Sequence, residues 1–168
     1  MKRAVAFTFL ILFVHMAIAQ KSPVDKLFEK YSGKEGYTSI YISEYMFTLF
    51  SNISAEDKDF QDVIKGLSGI KILATEGSQT GVNFHAEIMK ELPTQEYKEL
   101  MVIREKDENL TFLVKDVKGK IVELLLIGGG SDNVLISIQG SNINLKNISK
   151  LSKSMDIDAL NVLENIEK

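Results

Sequence analysis

The stretch Leu110-Thr111-Phe112-Leu113-Val114-Lys115-Asp116-Val117-Lys118-Gly119-Lys120-Ile121-Val122-Glu123-Leu124-Leu125-Leu126-Ile127 decides the fold. Two apolar runs of strand length flank Lys118-Gly119, a dipeptide that ends one strand and turns the chain into the next. The run Lys120 to Ile127 is apolar on both sides except at Glu123, with Leu124 and Leu126 on one face and Ile121, Leu125 and Ile127 on the other. Such a strand belongs near the centre of a sheet, covered on each side. Working outward, Leu100 to Glu105 and Val134 to Gln139 carry further strand patterns, separated from this pair by Asp107-Glu108-Asn109 and by Gly128 to Asn133. Gaps that short mark a four-stranded antiparallel meander.

Before the meander, helical and strand periods alternate. Ser22 is placed to cap a helix starting at Pro23, where the missing N–H costs nothing, and Asp25 favours the positive end of its dipole. Val24, Leu27, Phe28 and Tyr31 share one helical face, and Gly33 ends the helix. From Tyr37 to Ile42 the period is two, with Thr38, Ile40 and Ile42 opposed to Tyr37, Ser39 and Tyr41. Ser43 then caps a short helix carrying Tyr45, Met46, Leu49 and Phe50. A second capping pattern, Ser54 with Asp57, opens a helix with Phe60, Val63, Ile64 and Leu67 on one face. The next strand is Ile70 to Thr75, and a connection of that length permits a parallel crossover. Glu76 to Gln79 reads as a turn and Thr80 to Leu92 as a helix stopped by Pro93. After the meander, Leu145, Ile148, Leu151 and Met155 share a helical face, followed by a last helix from Ile157 to Ile166. The expected class is α+β: a mixed, mainly antiparallel sheet packed with several helices.

The first nineteen residues read as a cleavable export signal. Lys2 and Arg3 precede an apolar run, Ala4 to Ile18, and Ala17-Ile18-Ala19 presents small residues where a signal peptidase reads them. Residues 20–168 then form a single α+β domain located in the periplasm or at the cell surface, and no later stretch is long enough to span a membrane. The mature chain has 18 basic and 23 acidic residues, a net charge of -5. That acidity argues against nucleic acid, whose phosphates require a basic footprint.

The chain has no cysteine, and its mature part keeps one histidine, His85. Cysteine and histidine nucleophile pairs and most transition-metal sites are thereby removed, and no cofactor or metal is expected. His85 shares a helical face with Val82 and Met89 and reads as an interfacial or surface histidine with no catalytic role. Gly128-Gly129-Gly130-Ser131-Asp132 has the composition of a phosphate cradle, but a strand follows it where a phosphate loop needs a helix, so it reads as a flexible hairpin loop. Glu56, Asp57, Asp59 and Asp62 lie at helical rather than calcium-loop spacing. Lys146, Lys150 and Lys153 recur at i, i+4 and i+7, a basic stripe able to meet an anionic envelope surface.

The runs Asp25 to Tyr31, Gly36 to Ser43, Met46-Phe47 and Lys146 to Met155 together resemble a domain-of-unknown-function family of small exported bacterial envelope proteins. The resemblance covers nearly the whole mature chain and implies a bacterial envelope protein of about this length. Many members are lipoproteins, a feature this cysteine-free chain does not share. The resemblance brings no catalytic motif. The preferred reading is a non-enzymatic domain that binds a protein or other envelope component through a face or edge of its sheet. The alternative is a hydrolase of an envelope substrate using two carboxylates that converge in a concave pocket with raised pKa values. A module with neither pocket nor apolar patch would be purely structural.

Overall fold

The computed structural model describes residues 21–53, 58–77 and 81–148. The export signal, the Ser54–Asp57 cap, Lys150, Lys153 and the helix from Ile157 to Ile166 lie outside these residues. The elements are α1 (Pro23–Tyr31), β1 (Tyr37–Ser43), α2 (Glu44–Ile53), α3 (Lys58–Ile64), β2 (Leu67–Thr75), α4 (Phe84–Glu91), β3 (Tyr97–Arg104), β4 (Glu108–Val117), β5 (Lys120–Gly130) and β6 (Val134–Gly140). The strands form one sheet in the order β1-β2-β6-β5-β4-β3. The meander β3 to β6 is present as expected, and β6 joins it to the β1–β2 pair.

Every pairing is antiparallel, including β1 with β2. The connection that length alone allowed to be a parallel crossover therefore closes an antiparallel pair. Two helices lie in it, and two helical passes leave the chain where the next strand must run backwards. At the hairpin between β4 and β5, Lys118 and Gly119 both take positive φ, 56° and 78°, the conformation of a two-residue type I′ turn.

Helices α1 and α4 cover one face of the sheet. Val24, Leu27, Tyr31, Phe84, Ile88 and Leu92 pack there on Leu73, Leu113, Leu125, Ile127 and Leu135. Ser22 caps α1, its Oγ accepting from the Asp25 N–H at 3.1 Å, and Gly33 follows with φ 73°. Burial pushes the Asp25 carboxyl up, but hydrogen bonds from Lys71 and Ser22 outweigh it and hold the pKa below the usual value. Two ion pairs, Lys26 to Glu91 and Lys30 to Glu87, fasten α1 to α4. On the opposite face α2, α3 and the segment 143–148 enclose Phe47, Val63, Ile64, Ile70, Leu124, Leu126, Ile136, Ile138, Ile143 and Ile148.

Strand β5 is central and buried on both sides, with Leu124, Leu125, Leu126 and Ile127 at most 1% exposed. Ile121 departs from the alternation, packing with Leu124 and Leu126 rather than with Leu125 and Ile127. The ladder explains it. Lys115 faces Glu123 and Asp116 faces Ile121, so Val122 is an extra residue in a β-bulge that transfers Ile121 to the other face.

Candidate functional site

The glycine run is not a loop. Gly128 and Gly129 are paired strand residues of β5; Gly128 lies against the Val134 side chain, and the N-terminus of α4 lies directly on Gly129. A Cβ on Gly129 would stand 2.3 Å from Asn83 Oδ1 and 2.8 Å from the His85 backbone nitrogen, and one on Gly130 only 2.0 Å from the Asp107 carbonyl oxygen. Glycine serves here for close approach. The donors of α4 are already engaged: the Phe84 N–H donates to Asn133 Oδ1 and the Ala86 N–H to Asn83 Oδ1, each at 2.8 Å. An anion would have to displace both caps, so the arrangement does not serve as a phosphate cradle. The helix itself starts at Phe84, with Asn83 as its cap, later than the apolar spacing suggested.

His85 follows in the same turn, its Nε2 2.9 Å from the hydroxyl of the buried Thr111. Burial, helped by the Arg104 charge, lowers its pKa. It is an interfacial histidine joining α4 to β4.

The buried acid of the sheet is Glu123, which accepts from the Tyr97 hydroxyl at 2.7 Å and the Ser137 hydroxyl at 2.9 Å. Burial and the Glu123 charge push the Tyr97 hydroxyl far above the usual tyrosine range, so it stays a donor. Among the described residues no second carboxylate hydrogen-bonds into this network. Among the described residues the two carboxyls with clear shifts, Asp25 and Glu91, both move downward, the opposite of what an acid poised to donate a proton requires. Among the described residues no three histidine, cysteine or acidic side chains gather at metal-binding distance.

A cleft of about 570 Å³ opens between α2, α3 and the start of β2. Glu44, Ser51, Gln61, Asp62, Lys65 and Ser141 are among its lining residues. The wall that α2 gives to this cleft is mostly polar, because α2 is oriented contrary to the usual rule. Among its described side chains the buried one is Phe47, 6% exposed, while Tyr45, Met46 and Leu49 face outward, Tyr45 at 70% exposed. At 100° per residue Phe50 stands about 60° from Phe47, its ring edge-on to Phe60 of α3 at 6.2 Å, while Tyr45, Met46 and Leu49 form one strip 100° or more away from Phe47. They are among the residues whose spacing marks the helix in the sequence; what spacing could not show was the direction of the strip. Beside it runs the free edge of the sheet, where Ile40 and Tyr41 of β1 are 44% and 59% exposed.

Lys146 is exposed just past the point where the chain turns helical after Asn144. Its proposed partners in a basic stripe, Lys150 and Lys153, are outside the described residues, so the structure does not assemble the three. No described helix is long and apolar enough to cross a membrane.

The chain is thus an α+β protein built on a six-stranded antiparallel sheet, with one apolar edge that no other described residue pairs with. A family model matches residues 31–151, and the chain belongs to that family, the domain of unknown function DUF4252. No curated protein and no solved structure matches it.

Proposed function

We propose that this chain is an exported, non-enzymatic domain whose work is to bind a protein partner in the bacterial envelope, and that the partner docks on the outward strip of α2 and the adjoining edge strand β1. The observation that carries this reading is the orientation of α2. A helix whose buried described side chain is Phe47 and which gives Tyr45, Met46 and Leu49 to solvent leaves apolar area that a monomer has no reason to keep in water. Aromatic and methionine side chains are also the types enriched where proteins meet. A lipid surface is a poorer fit, since an interfacial helix needs basic residues on its polar face and α2 carries none.

The test is paired capture from the envelope fraction with the exported protein and its Tyr45→Glu/Leu49→Glu variant as baits. Both substitutions are on the surface, so each is expected to change stability by no more than about 0.5 kcal/mol. A protein retained by the parent and lost by the variant, at equal denaturation midpoints, supports the reading. Identical sets of retained proteins would refute it.

A further inference from the structure

Resting on that binding reading, we infer that the partner is a second copy of the same chain, joined by antiparallel pairing of β1 with β1 about a two-fold axis through Ile40. The two edges of the sheet differ in kind. On β3, Lys98, Glu99 and Arg104 are exposed and a bulge interrupts the ladder between Glu99 and Met101, the usual protection of an edge against further pairing. Strand β1, Tyr37-Thr38-Ser39-Ile40-Tyr41-Ile42-Ser43, has no charge and no proline, and it pairs with β2 in unbroken register along all seven residues. Its own residues bring no charge, proline or bulge to discourage another strand, and the Glu76 carboxylate bonded to the Thr38 hydroxyl lies at one end of it.

Its sequence is also complementary to itself. An antiparallel copy centred on Ile40 sets Tyr37 opposite Ser43, Ser39 opposite Tyr41 and Thr38 opposite Ile42, large against small on one face and branched against branched on the other. Ile40 meets its own copy. Such a C2 contact is isologous, the form that closes after two subunits. Ile40 is moreover the open end of an apolar row crossing the whole sheet, Ile40-Ile72-Ile136-Leu126-Phe112-Met101. The second Ile40 would continue that row without a break, and cross-strand pairs of this kind stabilise sheets.

Area agrees. Large side chains near half exposure offer on the order of 100 Å² each. Ile40, Tyr41, Tyr45, Met46, Leu49 and Phe50 then supply about 600 Å² per copy before strand backbone is counted, close to the ~800 Å² per partner of a standard interface.

The experiment uses the exported full chain, whose lack of cysteine makes single-cysteine variants unambiguous. Sedimentation velocity of the parent is expected to show a mass that doubles with concentration. Ile40→Cys is expected to cross-link to itself under mild oxidation, whereas Lys98→Cys on the other edge should not. Ile40→Lys and Ile40→Glu, each placing like charges together on the axis, should weaken association by roughly tenfold or more. Mixing the two should restore it, a recovery that a merely misfolded variant would not show. The pairing is overturned by a parent that stays monomeric at every concentration, by a dimer unaffected by Ile40→Lys, or by self-cross-linking at Thr38→Cys or Ile42→Cys in place of Ile40→Cys. A monomeric parent that still captures another protein through Tyr45 and Leu49 would refute the dimer and leave the binding reading standing.

Discussion

Substituting Gly129 by alanine adds one methyl group at the contact between β5 and α4, and its cost can be worked out from the structure. The new carbon would lie 2.3 Å from Asn83 Oδ1 and 2.8 Å from both the backbone nitrogen and the Cβ of His85, inside the roughly 3.5 Å at which heavy atoms come to rest. The Asn83 side chain could swing away, but only by abandoning its cap on α4, which is worth about 1 kcal/mol. The His85 backbone cannot swing, so the first turn of α4 must lift from the sheet, an overpacking cost of about 1–3 kcal/mol. Against this, alanine restricts the unfolded chain and returns about 0.4–1 kcal/mol. The net loss is about 1–3.6 kcal/mol, which in urea moves the midpoint by roughly 0.5 M or more at a typical slope of about 2 kcal/mol/M. Gly77→Ala is the control: its φ is 73° and no atom lies within 4 Å of the added carbon, so only left-handed backbone strain of roughly 1–2 kcal/mol applies, partly offset in the same way. If Gly129→Ala proves no worse than Gly77→Ala, α4 does not rest on the glycine run and the pliable-loop reading returns.

Leu125→Ala, at a fully buried position of β5, should cost about 2–5 kcal/mol by denaturant titration; a loss below about 1 kcal/mol would mean that one face of β5 is open. The lowered pKa of His85 means that the unfolded chain binds its proton more readily than the folded one. Stability from this group is therefore complete above the ordinary histidine pKa of about 6.5 and declines as pH falls through the window down to the lower folded value. The midpoint of the parent should drop more between pH 7 and pH 5 than that of His85→Gln, and equal drops would contradict the burial argument. The exported protein should begin at Gln20, which intact mass measures directly; retention of residues 1–19 would show an uncleaved anchor.

The meander was legible because its strands are apolar on the period of two and its gaps are too short for anything but hairpins. The cap at Ser22 and the turn at Lys118-Gly119 were likewise written in local chemistry. Features that depend on pairing register were not. The bulge at Val122 moves Ile121 across the sheet, and no local pattern distinguishes an extra strand residue from a regular one. Gly128 and Gly129 look like a turn until Val134 at the first and the approach of α4 at the second explain why no Cβ fits. The strip on α2 exposed a more general limit: spacing shows that a helix has an apolar side, but whether that side meets the same chain or another depends on where the rest of the chain has gone. As for the site, sequence leaves His85 either interfacial or on the surface, and its place between α4 and β4 depends on the fold, whereas the Tyr97, Ser137 and Glu123 network joins residues from three strands and has no sequence signal.

The insertion of β6 between β2 and β5 bears on how the protein is made. Leu73 of β2 lies opposite Leu135 of β6, its partner from far down the chain. Since synthesis proceeds from the N-terminus at roughly 5–20 residues per second, β2 waits on the order of 3–12 s before that partner emerges. Throughout that interval the apolar flank of β2 is an open template, long compared with the microseconds in which hairpins form. The nascent chain therefore offers a binding site for holding chaperones that the finished protein no longer displays.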